Sequence, residues 1–200
     1  MILTGPEILK QINCGTIKIT PFNERYLNPG SVDLTLGRQV KVYRDYVEVK
    51  EPSLIEDGML LKYLDRGLVQ DSKKEPEVLA FQIDPEVGWV LNPGVGYLMH
   101  TAERVSTDSY VPVLDGKSSI GRLFIKIHET AGYGDICYDG HYTLEVTSQF
   151  PVRVYPGMRI CQMRFHTIQG DPVSYQETGT YTNNLSTGPV PSQAWRSAFK

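Results

Sequence analysis

The chain has 200 residues, 40% of them apolar, which is enough for one sizeable core and too little for a comfortable second domain. Twenty basic against 23 acidic residues give a formal charge of -3 with no polybasic run, arguing against duplex nucleic acid as a partner and leaving small anionic ligands open. No apolar run approaches the roughly 20 residues of a membrane span. Cys14, Cys137 and Cys161 are odd in number and widely spaced, with no apolar leader before them, so the expected setting is reduced and cytoplasmic.

In chain order, Thr4 is placed to cap a helix over Gly5 to Ile12, with Glu7 at the capping-box position and Ile8, Leu9 and Ile12 on one apolar face; Gly15 ends it. Ile17 and Ile19 alternate with polar residues as a short strand, and Leu27 to Gly30 is a turn feeding Ser31 to Leu36. Within that strand Asp33 points away from Val32, Leu34 and Leu36, and it reads more readily as the wet face than as a buried network residue. Arg38 to Val49 continues in strand style. Glu51 to Glu77 is charged and broken by Pro52, Gly58, Gly67 and Pro76, which predicts a surface excursion with one short helix near Leu60 to Leu64. Strand patterns return at Val78 to Ile83, Trp89 to Leu91 and Tyr97 to Val105, and become dense from Val111.

The stretch from Asp115 to Glu145 concentrates polar groups of unlike chemistry. Gly116 and Gly121 let the backbone turn closely around a ligand, Lys117 and Arg122 supply positive charge, and Ser118 and Ser119 can donate to phosphate oxygens. The glycine spacing is not that of a GxxxxGK[ST] loop, so an anion site and a solvated turn both remain open. Further on come a His-Glu-Thr run, the isolated Asp135, and Glu145 closing an apolar strand with Thr143 on its own face. Cysteine pairs at metal-ligand spacing are missing, and His100, His128, His141 and His166 form no HExxH, which argues against a structural zinc site. Two more strands follow at Pro151 to Arg153 and Met158 to Phe165, with Cys161 a core thiol. Many short strands at spacings of about 8–12 residues predict an all-β barrel or jelly-roll-like fold. After Gly170 the chain turns polar, with Tyr175 and Tyr181, and should be mobile unless it covers something.

DGKSSIGR, TAGYGD, GHYTLE and PGMRICQMRF, preceded in order by MILTG, NPGSVDLTLG and the LNPG turn at Leu91 to Gly94, resemble the dCTP deaminase family of the wider dUTPase-like group. The resemblance covers most of residues 1–170. It implies a dUTPase-like distorted jelly-roll or β-barrel with a short N-terminal helix, and a tail at 171–200 acting as a lid over a neighbouring subunit's site. The implied activity is deamination of dCTP to dUTP and ammonia. Two alternatives within the group are a bifunctional enzyme giving dUMP and pyrophosphate, and a dUTPase alone; a non-catalytic nucleotide-binding regulator is a third.

On the same grounds Glu145 is the expected proton carrier, with Ser118 and Arg122 assisting at the base and holding the triphosphate beside Lys117 and Ser119. Thr130, Ala131 and Gly132 line the base pocket, Asp135 meets the 3′-hydroxyl, Gln162 contacts nucleotide, and Tyr175 and Tyr181 belong to the closing segment. Mg²⁺ is expected to arrive on the triphosphate, with no protein metal cage. The zinc signature of nucleoside deaminases is missing. Expected partners are dCTP, with dUTP and dTTP as further candidate ligands, and two more copies of the chain in a homotrimer whose sites lie between subunits. Four departures stand out. Lys117 replaces an arginine, Cys137 replaces a glycine, Gly132-Tyr133 stands where deamination-only members carry His-Arg, and no lysine or glutamine lies between Tyr181 and Gly188.

Overall fold

The computed structural model describes residues 1–44, 55–56, 59–60, 70–181 and 187–198. Helix α1 (Gly5–Asn13) forms as its apolar spacing predicts, with Ile8 fully buried and Gly15 just beyond its end at φ 79°. Burying Ile8 is worth roughly 1.5–3 kcal/mol. The capping box does not form: Thr4 makes no side-chain cap, and Glu7 is drawn one turn forward by Gln11 Nε2 at 2.6 Å.

Among the described residues, fourteen strands, a 3-10 turn at Glu24–Tyr26 and three further short α-helices follow. In chain order they are β1 (Ile17–Thr20), β2 (Leu27–Asn28), β3 (Ser31–Thr35), β4 (Gln39–Tyr43), β5 (Ile55–Glu56), β6 (Met59–Leu60), β7 (Val78–Gln82), β8 (Trp89–Leu91), β9 (Tyr97–Thr107) and β10 (Tyr110–Gly116). After them come α2 (Ser118–Gly121), β11 (Ile125–Lys126), β12 (Asp139–Ser148), β13 (Val152–Val154), β14 (Arg159–Thr167), α3 (Tyr175–Thr178) and α4 (Ala194–Ser197). Leu60, expected at the start of a short helix, is in a strand; the rest of that expected helix, and residues 45–49 of the expected strand, lie outside the described residues.

One sheet runs β11-β12-β9-β4-β7, with β1 also on β9; a second runs β10-β14-β3-β2, and β13 pairs with β8. Both main sheets contribute to a single apolar cluster, Val40, Met99 and Leu144 from the first and Leu34, Met163 and Phe165 from the second. The result is a mostly β, distorted two-sheet fold whose edges do not close into a barrel. Among the described residues no helix is long and apolar enough to cross a membrane.

The main departure from the strand pattern is Asp33. It is 1% exposed instead of wet, and its carboxylate accepts from Asn28 Nδ2 at 2.7 Å, Lys117 Nζ at 2.5 Å and Arg159 at 3.2 Å. A buried carboxylate persists only with such partners. All five residues of β3 are buried because the strand lies within its sheet and the second side of the sheet is covered as well.

Candidate active site

Strand β12 builds the site. Leu144 and Val146 point into the core with no exposure, so Thr143, Glu145 and Thr147 fall on the opposite face by the period of two. The pairing of β12 with β9 slips between His141 and Thr143, and the amide of Tyr142 donates instead to Thr101 Oγ1 at 3.0 Å. A bulge of this kind re-aims a side chain, and here it lets Tyr142 and Thr143, adjacent in sequence, border the same space.

That space is a cleft of about 710 Å³, well within the range of roughly 300–1,000 Å³ usual for small-molecule sites. Glu145 lies in it half-buried, its Oε2 accepting the backbone N–H of Glu129 at 3.0 Å. Glu129 itself receives Thr147 Oγ1 at 2.8 Å and has Lys126 at 3.5 Å. The Thr147 hydrogen bond holds the Glu129 carboxyl below the usual carboxylate range.

On the other wall Tyr138 packs edge-on against Tyr142 and Tyr175, at ring separations of 5.0 and 5.8 Å. Burial pushes the Tyr138 hydroxyl up to about 12 and raises Tyr142 and Tyr175 as well, so all three stay neutral aromatic surfaces at ordinary pH. A carboxylate fixed at one end and flat aromatic walls suit a planar ring that must exchange protons.

The segment Thr130 to Asp135 is pressed against β10 by two glycines. Leu114 N donates to Gly132 O at 2.7 Å and Gly134 N to Pro112 O at 2.8 Å. A β-carbon at Gly132 would meet Leu114 O at 2.6 Å, and one at Gly134 would meet the Tyr142 hydroxyl at 2.7 Å. Only glycine permits this approach. Cys137, where a glycine was expected, sits at φ 65°, and Gln176 Nε2 holds its carbonyl at 2.9 Å.

Of the residues singled out from the sequence, Ala131, Asp135, Glu145, Tyr175 and Tyr181 come together in the cleft. Ser118, Ser119 and Arg122 are exposed on and beside α2, and with Lys117, Thr130, Gly132 and Gln162 they are not among the cleft-lining residues. Lys117 is turned to Asp33, and Gln162 bridges Ser31 Oγ and Gly116 O at 3.0 and 2.9 Å. Asp33 and Gln162 thus hold both sides of the turn that carries the two serines.

The described part of the tail makes contacts with its own chain. Val190 N donates to Thr143 Oγ1 at 3.0 Å, Ser192 N to Tyr43 Oη at 3.1 Å and Lys41 Nζ to Pro189 O at 2.7 Å. The Tyr175 hydroxyl accepts from Tyr181 N at 3.1 Å, and the Tyr181 hydroxyl from Gln193 N at 3.2 Å.

A family model described as dCTP deaminase-like matches residues 2–168. The chain belongs to that family. Its relatives include proteins named "dCTP deaminase, dUMP-forming" from Leptospira biflexa serovar Patoc and Clostridium botulinum strain Alaska E43. The first is 39% identical over 189 residues, with 94% of each chain covered; the second is 41% identical over 190 residues, with 94% of this chain and 95% of the relative covered. The crystal structure of 2′-deoxycytidine 5′-triphosphate deaminase from Agrobacterium tumefaciens shares the fold, with a TM-score of 0.57 at 22% identity over 90% of this chain; this chain spans about half, 52%, of that one.

For this dCTP deaminase-like chain, Glu129, Tyr138, Tyr142, Thr143 and Thr147 are cleft residues that sequence reasoning did not put forward as site residues. Thr147 carried a readable signal, lying two residues from Glu145 on an alternating strand. Glu129 was visible only as part of the His-Glu-Thr run, with nothing to mark its partner, because its bond to Thr147 spans 18 positions.

Proposed function

We propose that this chain deaminates dCTP and releases pyrophosphate, giving dUMP, as a cytoplasmic enzyme of pyrimidine deoxynucleotide metabolism. The observation that carries the reading is Glu145, a carboxylate oriented by a backbone N–H inside a cleft walled by neutral aromatic rings.

Glu145 takes a proton from a water whose oxygen bonds to C4 of cytosine and passes it to N3; it then takes the hydroxyl proton of the C4 adduct and delivers it to the exocyclic nitrogen, so that the C4 carbonyl forms as the C4–N bond breaks and ammonia leaves. A second water then cleaves dUTP between the α- and β-phosphates. In all, dCTP and two waters give dUMP, ammonia and pyrophosphate. Asp135 meets the 3′-hydroxyl and Ala131 borders the base, both being residues of the cleft that holds Glu145. The dUMP-forming names of relatives near 40% identity support the second step, as does Gly132-Tyr133 in place of His-Arg.

Ser118, Ser119 and Arg122 serve a cleft other than their own chain's, in a homotrimer with sites between subunits. Their exposure, and their position outside the cleft that holds Glu145, support this. Lys117 and Gln162 act chiefly by holding the serine turn. Mg²⁺ arrives on the triphosphate, held by phosphate oxygens and water. When bound, that ion neutralises the triphosphate and polarises the phosphorus under attack. The tail at 171–200 closes the cleft; truncation after Gly170 should keep the fold and impair turnover, and unchanged turnover would refute the lid.

Glu145→Gln tests the core of the reading. It keeps shape but cannot accept the proton, so ammonia release should fall by at least about 10²-fold while nucleotide binding and assembly persist. Near-normal ammonia release from the folded variant would refute it.

A further inference from the structure

The cleft contains a second carboxylate whose chemistry the deamination cycle does not use. Glu129 borders the same space as Glu145, and the two are coupled through the backbone, since the N–H of residue 129 is the donor to Glu145 Oε2 at 3.0 Å. The Glu129 side chain is not a loose surface group. Thr147 Oγ1, from the same face of β12 as Glu145, donates to its Oε1 at 2.8 Å, while Lys126 approaches Oε2 at 3.5 Å. Thr143, Glu145 and Thr147 therefore form a row, and Glu129 is fastened to it at two points, by its backbone to the middle member and by its carboxylate to the last. The hydrogen bond from Thr147 keeps that carboxyl ionised through neutral pH.

An ionised carboxylate accepts hydrogen bonds and donates none. Cytosine and the 4-oxo pyrimidines differ at the edge that Glu145 must reach: cytosine presents an amino donor at C4, whereas uracil and thymine present an acceptor oxygen. A fixed anion beside that edge attracts the first and repels the second. Sites that discriminate by hydrogen bonding do so because the wrong ligand leaves a partner unpaired or opposed.

We propose that Glu129 is the base-selecting residue of this site, its carboxylate accepting from the 4-amino group of cytosine and disfavouring 4-oxo pyrimidine nucleotides. The inference rests on the reading of the cleft as a deaminase site. Glu129 selects and Glu145 moves the proton. Thr147 is a positioning residue, acting only through Glu129. After deamination the same carboxylate faces O4 of the product base, so the site holds uracil less tightly than the cytosine it began with.

The test measures dissociation constants for dCTP, dUTP and dTTP with Mg²⁺ by calorimetry. The full-length Glu145→Gln protein serves as background, so that bound dCTP is not consumed. The background should prefer dCTP. Adding Glu129→Gln, which keeps the shape and removes the charge, should cut the preference over dUTP about tenfold, because a charge-assisted bond becomes a neutral one and the repulsion of O4 is lost. Adding Thr147→Val in its place should reduce the preference about threefold by releasing the carboxylate. Glu129 is exposed enough that the melting temperature of its variant should match the background, separating selection from misfolding. Equal binding of dCTP and dUTP by the background, or a preference unchanged by Glu129→Gln, would overturn the proposal. Ammonia release by the wild-type chain is scored separately. Its presence beside an unchanged preference refutes selection alone, and its absence refutes the deaminase reading along with it.

Discussion

Gly134 and Tyr142 compete for one volume. A β-carbon at residue 134 would fall 2.7 Å from the Tyr142 hydroxyl and 2.9 Å from the carbonyl of Pro112, and neither neighbour is free to move, one being buried and the other part of β10. Gly134→Ala should therefore cost roughly 1–3 kcal/mol by overpacking. Tyr142→Phe should be close to neutral, since the hydroxyl has no hydrogen-bond partner among the described residues and its burial is uncompensated. Urea unfolding of both variants checks this, and a Gly134→Ala protein as stable as wild type would contradict it. At this scale the sequence was informative where a residue type carries its own chemistry. Glu145 and Asp135 were legible as carboxylates inside a recognisable motif, and both lie in the cleft. Glu129 was not, because a glutamate followed by a threonine says nothing about which strand will lie beside it. Asp33 was misread because alternation along β3 predicts two faces, one wet, and is silent about whether the second face is covered.

The serine turn is an element whose support lies far away in sequence. Asp33 on β3 reaches Lys117 across 84 positions, Gln162 on β14 reaches Gly116 across 46, and Arg164 meets Asp115 at 3.1 Å. The NPGSVD stretch is thus explained as a scaffold for the turn, with Asn28 Nδ2 fixing the Asp33 carboxylate. Asp33→Ala would leave Lys117, whose side chain is 16% exposed, without its partner, and should cost about 3–5 kcal/mol. It should also depress dCTP turnover more than nucleotide-independent assembly, since the turn loses its anchor while the sheets keep theirs. A loss below about 1 kcal/mol in urea unfolding would show that the pair contributes little. Strands β9, β10, β12 and β14 were legible because apolar and polar residues alternate over long runs. The tail was not, since its C-terminal part is held mostly through its backbone, Val190 N and Ser192 N donating to Thr143 and Tyr43 and Pro189 O accepting from Lys41, and such bonds leave no trace in the tail's residue types.

Across the whole molecule, the strands could be found from sequence but their order could not. The run β11-β12-β9-β4-β7 joins segments separated by many residues, and alternation identifies a buried face without identifying its neighbour. Where the two sheets meet, Glu103 on β9 is 4% exposed and accepts from Thr35 N and Oγ1 on β3 at 2.8 and 2.7 Å. Burial pushes its carboxyl above the usual range, against the opposing hydrogen bonds from Thr35. The folded state then binds this proton more tightly than the unfolded state does. Its contribution to stability is fully present below the unfolded value, about 4.3, and is lost as pH rises through the folded one. Relative to wild type, Glu103→Gln should gain stability as pH rises from about 4 towards neutrality, and parallel stability curves for the two proteins would contradict this. The account as a whole stands on the coupling of two hydrolyses in one chain. The most direct test follows ammonia and pyrophosphate together from purified wild-type protein supplied with dCTP and Mg²⁺. The account predicts equal molar release of both with dUMP as the nucleotide product; ammonia accompanied by dUTP and no pyrophosphate, or pyrophosphate without ammonia, would contradict it.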